Sequence, residues 1–277
     1  MVREEFIAQT VKPGQIGLEV GPGYAPTFPK SQGWNVDTLD HASADDLRQK
    51  YEGMIDITRI EDIDYVSDGK PLHHIIHHRS HYDFIFASHV IEHVTDPISF
   101  FKSCELLLKD EGQLLLVVPD KRKCFDAFQP VSTTGDFLDA YHRKATRHAP
   151  GRAFDFIANT TSLDQHGIWE RDWTGAFTLT NSIEQATEIW ERASSPSQYI
   201  DIHAWRFTPS SLRLIMTDLQ AIKMINMREN LFSPSHTMEF YFSCSKNSDG
   251  HAVNRLDLLK NLVQEQIDGY QHIIEQS

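Results

Sequence analysis

The segment Leu18-Glu19-Val20-Gly21-Pro22-Gly23-Tyr24 sets an acid two residues ahead of a spaced glycine pair. Glycines let a backbone turn sharply and come close to a ligand, and either can take a positive φ at little cost. A glycine pair alone is a weak signal, but two absences sharpen it. A dinucleotide loop needs a third glycine at position 26, where Pro26 stands. A phosphate loop needs Gly-Lys-Ser/Thr, which does not follow. Glu19 instead suits a cationic amino-acid ligand, with Gly21, Gly23 and Tyr24 forming the turn beside it. Other acids end later apolar runs. Asp40, next to His41, can accept from both hydroxyls of a ribose, and Asp68 from an exocyclic adenine amine. Ser88 and His89 end a further run. Each alone reads as a cap or turn residue. A row of them at successive strand ends is what an open α/β sheet offers a nucleoside.

Four histidines are candidates for a general base, since imidazole titrates near neutrality: His89, His93, His166 and His203. His89 and His93 are four residues apart and share a helical face. For His93 a purely structural role is the competing reading. Lys121, Arg122, Arg143 and Arg147 lie in a stretch, 121–152, with seven Lys/Arg against three Asp. That is +4 locally in a chain of net charge −13, leaving −17 elsewhere. Such a stretch suits a phosphate or carboxylate on a second ligand, or is a solvated helix face. His73, His74, His77, His78 and His81 are joined by no cysteine or carboxylate triad, so they read as a solvated helix and no metal is expected.

The elements that must position these residues alternate short apolar runs with amphipathic ones, the pattern of βαβ units. Strands are predicted over 16–20, 35–39, 63–66, 82–87 and 113–118. Ser43 and Asp96-Pro97 open helices, the second ending with Gly112 as a left-handed cap. Beyond Asp120 the alternation lapses into an aromatic, His- and Arg-rich insertion without clean strands. It resumes with a helix from Thr208 to Leu219, strand candidates at Ile222–Met227 and Met238–Ser243, and a final helix over 253–274. The expected organisation is a cofactor-binding core over 1–120, a cap forming the second-ligand site over 121–205, and completion of the same domain over 206–277.

The acidic balance argues against a nucleic-acid backbone as partner. Three scattered cysteines give neither a disulfide framework nor a zinc spacing. No apolar leader or span of 18 apolar residues is present, so a cytoplasmic protein without integral membrane contact is expected.

The string from Tyr82-Asp83-Phe84-Ile85-Phe86-Ala87-Ser88-His89-Val90-Ile91-Glu92-His93-Val94 through Leu114-Leu115-Leu116-Val117-Val118-Pro119 closely resembles the core of class I S-adenosylmethionine-dependent methyltransferases. The likeness is to their small-molecule branch and covers about residues 14–120, with an echo at 203–209. The continuation Pro119-Asp120-Lys121-Arg122, with Phe125-Asp126 and Ser132-Thr133, resembles a bacterial subgroup associated with cell-surface polysaccharide pathways. The resemblance implies a Rossmann-like, seven-stranded, mostly parallel sheet with helices on both faces and an insertion after strand five. It also implies that Glu19, Gly21 and Gly23 contact the methionine part of S-adenosylmethionine, that Asp40 holds the ribose, and that Asp68 lies near the adenine. Ser88 and His89 then flank the sulfonium. A nicotinamide-dependent oxidoreductase, another use of the same fold such as aminopropyl transfer or a non-methylating cofactor enzyme, and a silent binding module are the rival classes.

Overall fold

Apolar runs flanked by turn residues become the strands of one sheet in the computed structural model, which describes residues 1–169, 175–195, 198–234, 237–250 and 253–275. In chain order the elements are α1 (Arg3–Thr10), β1 (Gly17–Val20), β2 (Val36–Asp40), α2 (Ala44–Tyr51), β3 (Tyr65–Val66), α3 (Leu72–Ile75), β4 (Tyr82–Ser88), α4 (Pro97–Leu107) and β5 (Leu108–Pro119). Then come α5 (Thr134–His142), α6 (Pro150–Asn159), β6 (Thr161–Leu163), β7 (Phe177–Leu179), α7 (Ile183–Ser194), α8 (Pro209–Ala221), β8 (Arg228–Ser233), β9 (Glu239–Ser245) and α9 (Arg255–Glu275). The main sheet has seven strands in the order β3-β2-β1-β4-β5-β9-β8. The pairs among β1 to β5 are parallel, and β9 runs antiparallel to both its neighbours.

Both sheet faces are covered, which is why the central strands read as unbroken apolar runs. Alternate residues of β4 serve opposite faces. Ile85 and Ala87 join the larger core with Leu114, Leu116 and Phe101. Phe84 and Phe86 join the smaller one with Phe6, Phe28 and Tyr241. At the foot of β1 a Cβ on Gly17 would sit 2.2 Å from Cζ of Phe84. Gly17→Ala is therefore expected to cost about 1–3 kcal/mol through overpacking, read as a lower urea midpoint with unchanged m.

Two helix starts follow their caps as read from the sequence. The Asp46 amide donates to Ser43 Oγ at 3.2 Å, and the Ser99 amide to Asp96 Oδ1 at 3.0 Å. Other expectations need correction. Gly112 is no helix cap: α4 runs directly into β5, and Gly112 lies inside that strand, where a Cβ would meet the Tyr82 carbonyl at 2.8 Å. The sixth strand candidate, at 222–227, is a turn and loop, with Lys223 at φ 60°, and the strand follows at Arg228–Ser233. Its polar sequence fits its place at the sheet edge. Only Leu72–Ile75 of the histidine-rich segment is helical. The insertion is not strand-free either, since β6 and β7 pair as a small antiparallel ribbon. No helix among the described residues is long and apolar enough to cross a membrane.

Candidate active site

The turn after β1 is built by conformations that only glycine adopts freely. Gly21 has φ 70° and Gly23 φ 54°, and a Cβ on Gly21 would lie 2.7 Å from Cγ2 of Val90. The Gly21 amide donates to the Leu39 carbonyl at 2.8 Å, and the Gly23 amide to Asp40 Oδ2 at 2.9 Å. Asp40 thus clamps the turn to the end of β2. Its other oxygen, Oδ1, accepts from the His41 amide at 2.6 Å and meets His41 Nδ1 at 2.5 Å. Glu19 acts from behind. It is 2% exposed, and its two oxygens accept from the amides of Thr27 at 2.7 Å and Phe28 at 3.0 Å. Burial raises its pKa against those hydrogen bonds. Glu19 therefore shapes the loop and is not on the wall of the cavity in front of it, contrary to the contact expected from the sequence.

That cavity encloses about 1550 Å³ along the C-terminal ends of the parallel strands. Common ligand pockets hold about 300–1,000 Å³, so a cofactor and a second molecule fit together. One end is lined by Gly21, Gly23, Asp40, His41 and Asp68, and the other by His93, Tyr141, Lys144, Tyr199 and Asp201. Asp68 stands at the open rim, paired with Lys70. Tyr24 is exposed and packs edge-on against Tyr51, which lines the wall itself. Ser88 ends β4 without reaching the wall, whereas His89 lines it.

His89 sits at φ 53°, a left-handed conformation that histidine tolerates better than most residues. Its backbone is held by the Val117 carbonyl at 3.0 Å, and Nε2 lies 3.0 Å from Glu239 Oε2. Arg3 grips the same carboxylate with Nε and Nη2, so α1 and β9 meet behind the site. Burial pushes the Glu239 pKa up, but the His89 and Arg3 hydrogen bonds prevail and hold it at about 2. A folded-state pKa below the unfolded value adds stability that is full above pH ~4.5 and lost as pH falls toward 2. The loss is expected to be on the order of 3 kcal/mol, and Glu239→Gln should flatten the acid limb of a stability-against-pH curve.

At the far end two histidines are each oriented by a carboxylate. His93 Nδ1 lies 2.8 Å from Asp201 Oδ1, and His203 Nδ1 lies 2.6 Å from Asp126 Oδ2. The rings meet edge to face with centroids 4.7 Å apart. Burial lowers the His93 pKa, but the Asp201 hydrogen bond and the nearby Glu92, Asp201 and Asp126 charges outweigh it, and the net shift is upward. Glu92 is fully buried beneath them. Sequence reading passed over Glu92, Asp126 and Asp201. Glu92 lies within the His-x-x-Glu-His string and Asp201 two residues before His203, so local spacing held a signal for both.

Other sequence candidates fall elsewhere. His166 sits in the turn joining β6 to β7, its Nδ1 2.9 Å from the Asp164 carbonyl, away from the cavity. Lys121 is buried, donates to the Ala127 carbonyl at 2.8 Å, and is pulled down to about pKa 8 by burial. Arg122 pairs with Asp120 beside the Tyr270 ring region of α9, and Arg147 donates to the Ser195 carbonyl at 2.6 Å. Arg143 ends α5, exposed and off the wall. Lys121, Arg122 and Arg147 are therefore spent on internal contacts and Arg143 on the surface; of the basic stretch it is Lys144 that lines the cavity, with His142 beside it. Arg122→Ala is expected to lower the melting temperature while leaving cofactor affinity and acceptor KM within about twofold, since no lining group is touched.

A seven-stranded sheet with one reversed strand, a glycine turn ending β1 and an acid ending β2 is the framework of a class I S-adenosylmethionine-dependent methyltransferase. A family model described as a methyltransferase domain matches residues 4–220, and the chain belongs to that family. The protein is accordingly an enzyme using S-adenosylmethionine. No curated protein matches it. Similar solved structures include a S-adenosylmethionine-dependent methyltransferase from Methanosarcina mazei, 14% identical over 89% of this chain and 98% of the other, with TM-score 0.44. The CcbJ methyltransferase from Streptomyces caelestis is 11% identical over 87% and 92%, with TM-score 0.44. A protein from Rhodobacter sphaeroides described among Zn-dependent alcohol dehydrogenases is 14% identical over 88% and 89%, with TM-score 0.46. At such identities and scores these likenesses carry no statement about function.

Proposed function

We propose that the protein transfers the methyl group of S-adenosylmethionine to a hydroxyl of a small, sugar-containing acceptor. The observation that carries this reading is the single cavity joining the Gly21–Asp40 end to the histidine–carboxylate end. The cofactor lies with its methionine part against the Gly21 and Gly23 turn, its ribose on Asp40 and His41, and its adenine toward Asp68. His89 stands by the sulfonium. The acceptor occupies the far end, where Tyr141 and Tyr199 offer flat faces for a sugar ring, Asp201 accepts hydroxyl protons, and Lys144 and His142 suit a phosphate or carboxylate. Transfer from a sulfonium is an in-line displacement, so the protein's contribution is orientation and activation of the attacking oxygen. The cluster of Glu92, His93 and His203 supplies the activation. A role in cell-surface polysaccharide assembly is supported by the sequence resemblance over residues 119–133.

Calorimetric titration with S-adenosylmethionine, S-adenosylhomocysteine and NAD, followed by turnover with nucleotide-sugars, sugar phosphates and flat phenols, tests the reading. Saturation by the first two ligands and turnover with a sugar-bearing acceptor is the expected result. Tight NAD binding, or turnover with phenols alone, would reject it.

A further inference from the structure

Glu92 is the least explained group in the molecule. It is 0% exposed, and neither carboxylate oxygen receives a hydrogen bond among the described residues. The nearest cation-forming atom the structure gives it, His89 Nδ1, stands 3.6 Å from Oε1. A carboxylate taken out of water without a partner is strongly unfavourable, so this one calls for a positive charge close by. Arg206 is also buried, but the charges bearing on it are Asp126, Asp155, Asp136 and Arg152, and its Nε and Nη2 form no hydrogen bond with Glu92.

Two imidazoles complete the picture. One ring nitrogen of His93, one of His203 and one oxygen of Glu92 all lie within 4.8 Å of one another. In both rings Nδ1 is already engaged by a carboxylate, Asp201 for His93 and Asp126 for His203. The nitrogen left to each ring is Nε2, which offers a lone pair to a metal when the ring is neutral. A carboxylate on the far nitrogen of a histidine is the recurrent support of metal-binding imidazoles, fixing their orientation and raising their basicity.

We propose that Glu92, His93 and His203 bind one divalent transition-metal ion of the zinc class, with its open coordination position toward the acceptor end of the cavity. Two imidazoles and one carboxylate with an open position suit zinc and its neighbours, whereas magnesium takes oxygen ligands and water. The ion neutralises Glu92 and holds the acceptor hydroxyl. The hydroxyl proton passes to water in the open cleft, and the oxygen then bonds to the methyl carbon. The carbon–sulfur bond breaks with its electron pair going to sulfur, giving neutral S-adenosylhomocysteine, and the metal keeps its oxidation state. The role in turnover rests on the acceptor lying at this end of the cavity, but the site itself does not.

The test titrates chelator-treated protein with ZnCl₂ and with MgCl₂ by calorimetry, and with CoCl₂ by visible absorption, measuring S-adenosylmethionine affinity on the same samples. Wild type should bind one equivalent of Zn²⁺ and give a Co²⁺ d–d spectrum. Glu92→Gln and His203→Asn should each weaken Zn²⁺ binding by about 100-fold or more while keeping cofactor affinity within about threefold, which shows that they fold. A His77→Asn/His78→Asn double variant should retain the equivalent, excluding the exposed histidines as the source. The proposal is overturned if wild type binds the cofactor but no Zn²⁺, if either the Glu92→Gln or the His203→Asn variant keeps wild-type Zn²⁺ affinity, if the exposed-histidine variant loses the equivalent, or if Mg²⁺ alone saturates. Failure of the cofactor itself to bind counts against the methyl-transfer reading instead.

Discussion

Asp40→Ala is expected to weaken S-adenosylmethionine binding by about 100- to 1000-fold while leaving the protein folded. The carboxylate stands where it both pins the Gly23 amide and faces the cavity beside His41. Hydrogen bonds to a charged group contribute about 1.5–3 kcal/mol each, and a ribose diol offers two. At the lower end of that range, losing both amounts to about 3–4 kcal/mol, or two to three decades in Kd. Asp40→Asn, which retains one acceptor oxygen, should fall between. S-adenosylmethionine and S-adenosylhomocysteine share the ribose and should lose affinity alike. Calorimetry showing wild-type Kd in Asp40→Ala would remove Asp40 from the cofactor site.

His203→Ala should act at the other end. Turnover is expected to fall by about 100- to 10,000-fold, the range associated with activating a reacting proton, with cofactor Kd changed by less than about threefold. His203 is 9% exposed and sits behind His93, packed on its ring and anchored to Asp126, so it supports the residue that lines the cavity. Its removal also leaves the buried Asp126 carboxylate without its histidine, so some stability will be lost. A merely structural residue would lower kcat and cofactor affinity together as the fold loosens. A split between the two, with kcat falling alone, is the signature to look for in rapid-quench measurements at saturating cofactor. Equal losses would place His203 outside the reaction.

The framework was legible in the chain because strand ends in parallel sheets are marked by chemistry that cannot be hidden. Gly21 and Gly23 need φ values that other residues resist, Asp40 ends β2, and residues 84–87 of β4 and 114–118 of β5 are continuous apolar stretches buried on both faces. What misled was polarity whose partners are remote. Glu19 reads as a ligand contact, yet its acceptors serve the amides of Thr27 and Phe28. Lys121 and Arg122 read as a basic surface, yet one is buried and the other is consumed by Asp120. The apolar run at 222–227 suggested a strand, but it buries Ile225 and Met227 from a loop while the polar edge strand β8 follows. The Glu92–His93–His203 grouping depends on a contact between the turn after β4 and the segment before α8, which no local pattern encodes.

The reversed strand β9 has a consequence for how the molecule is made. It fills the gap between β5 and β8, pairing with Gln113–Pro119 along one edge and Arg228–Ser233 along the other. As the chain leaves the ribosome, β1 to β5 can pair at once, but the outer edge of β5 then waits, bare, through the whole insertion. Its exposed register, Leu114-Leu115-Leu116-Val117-Val118, is the kind of flat apolar edge that recruits foreign strands. Glu239, at the start of β9, is also the residue that clasps His89 and Arg3. Sheet closure and completion of the Glu239 clasp on His89 and Arg3 are therefore one late event, and nascent chains stalled before residue 239 should be both inactive and prone to aggregate.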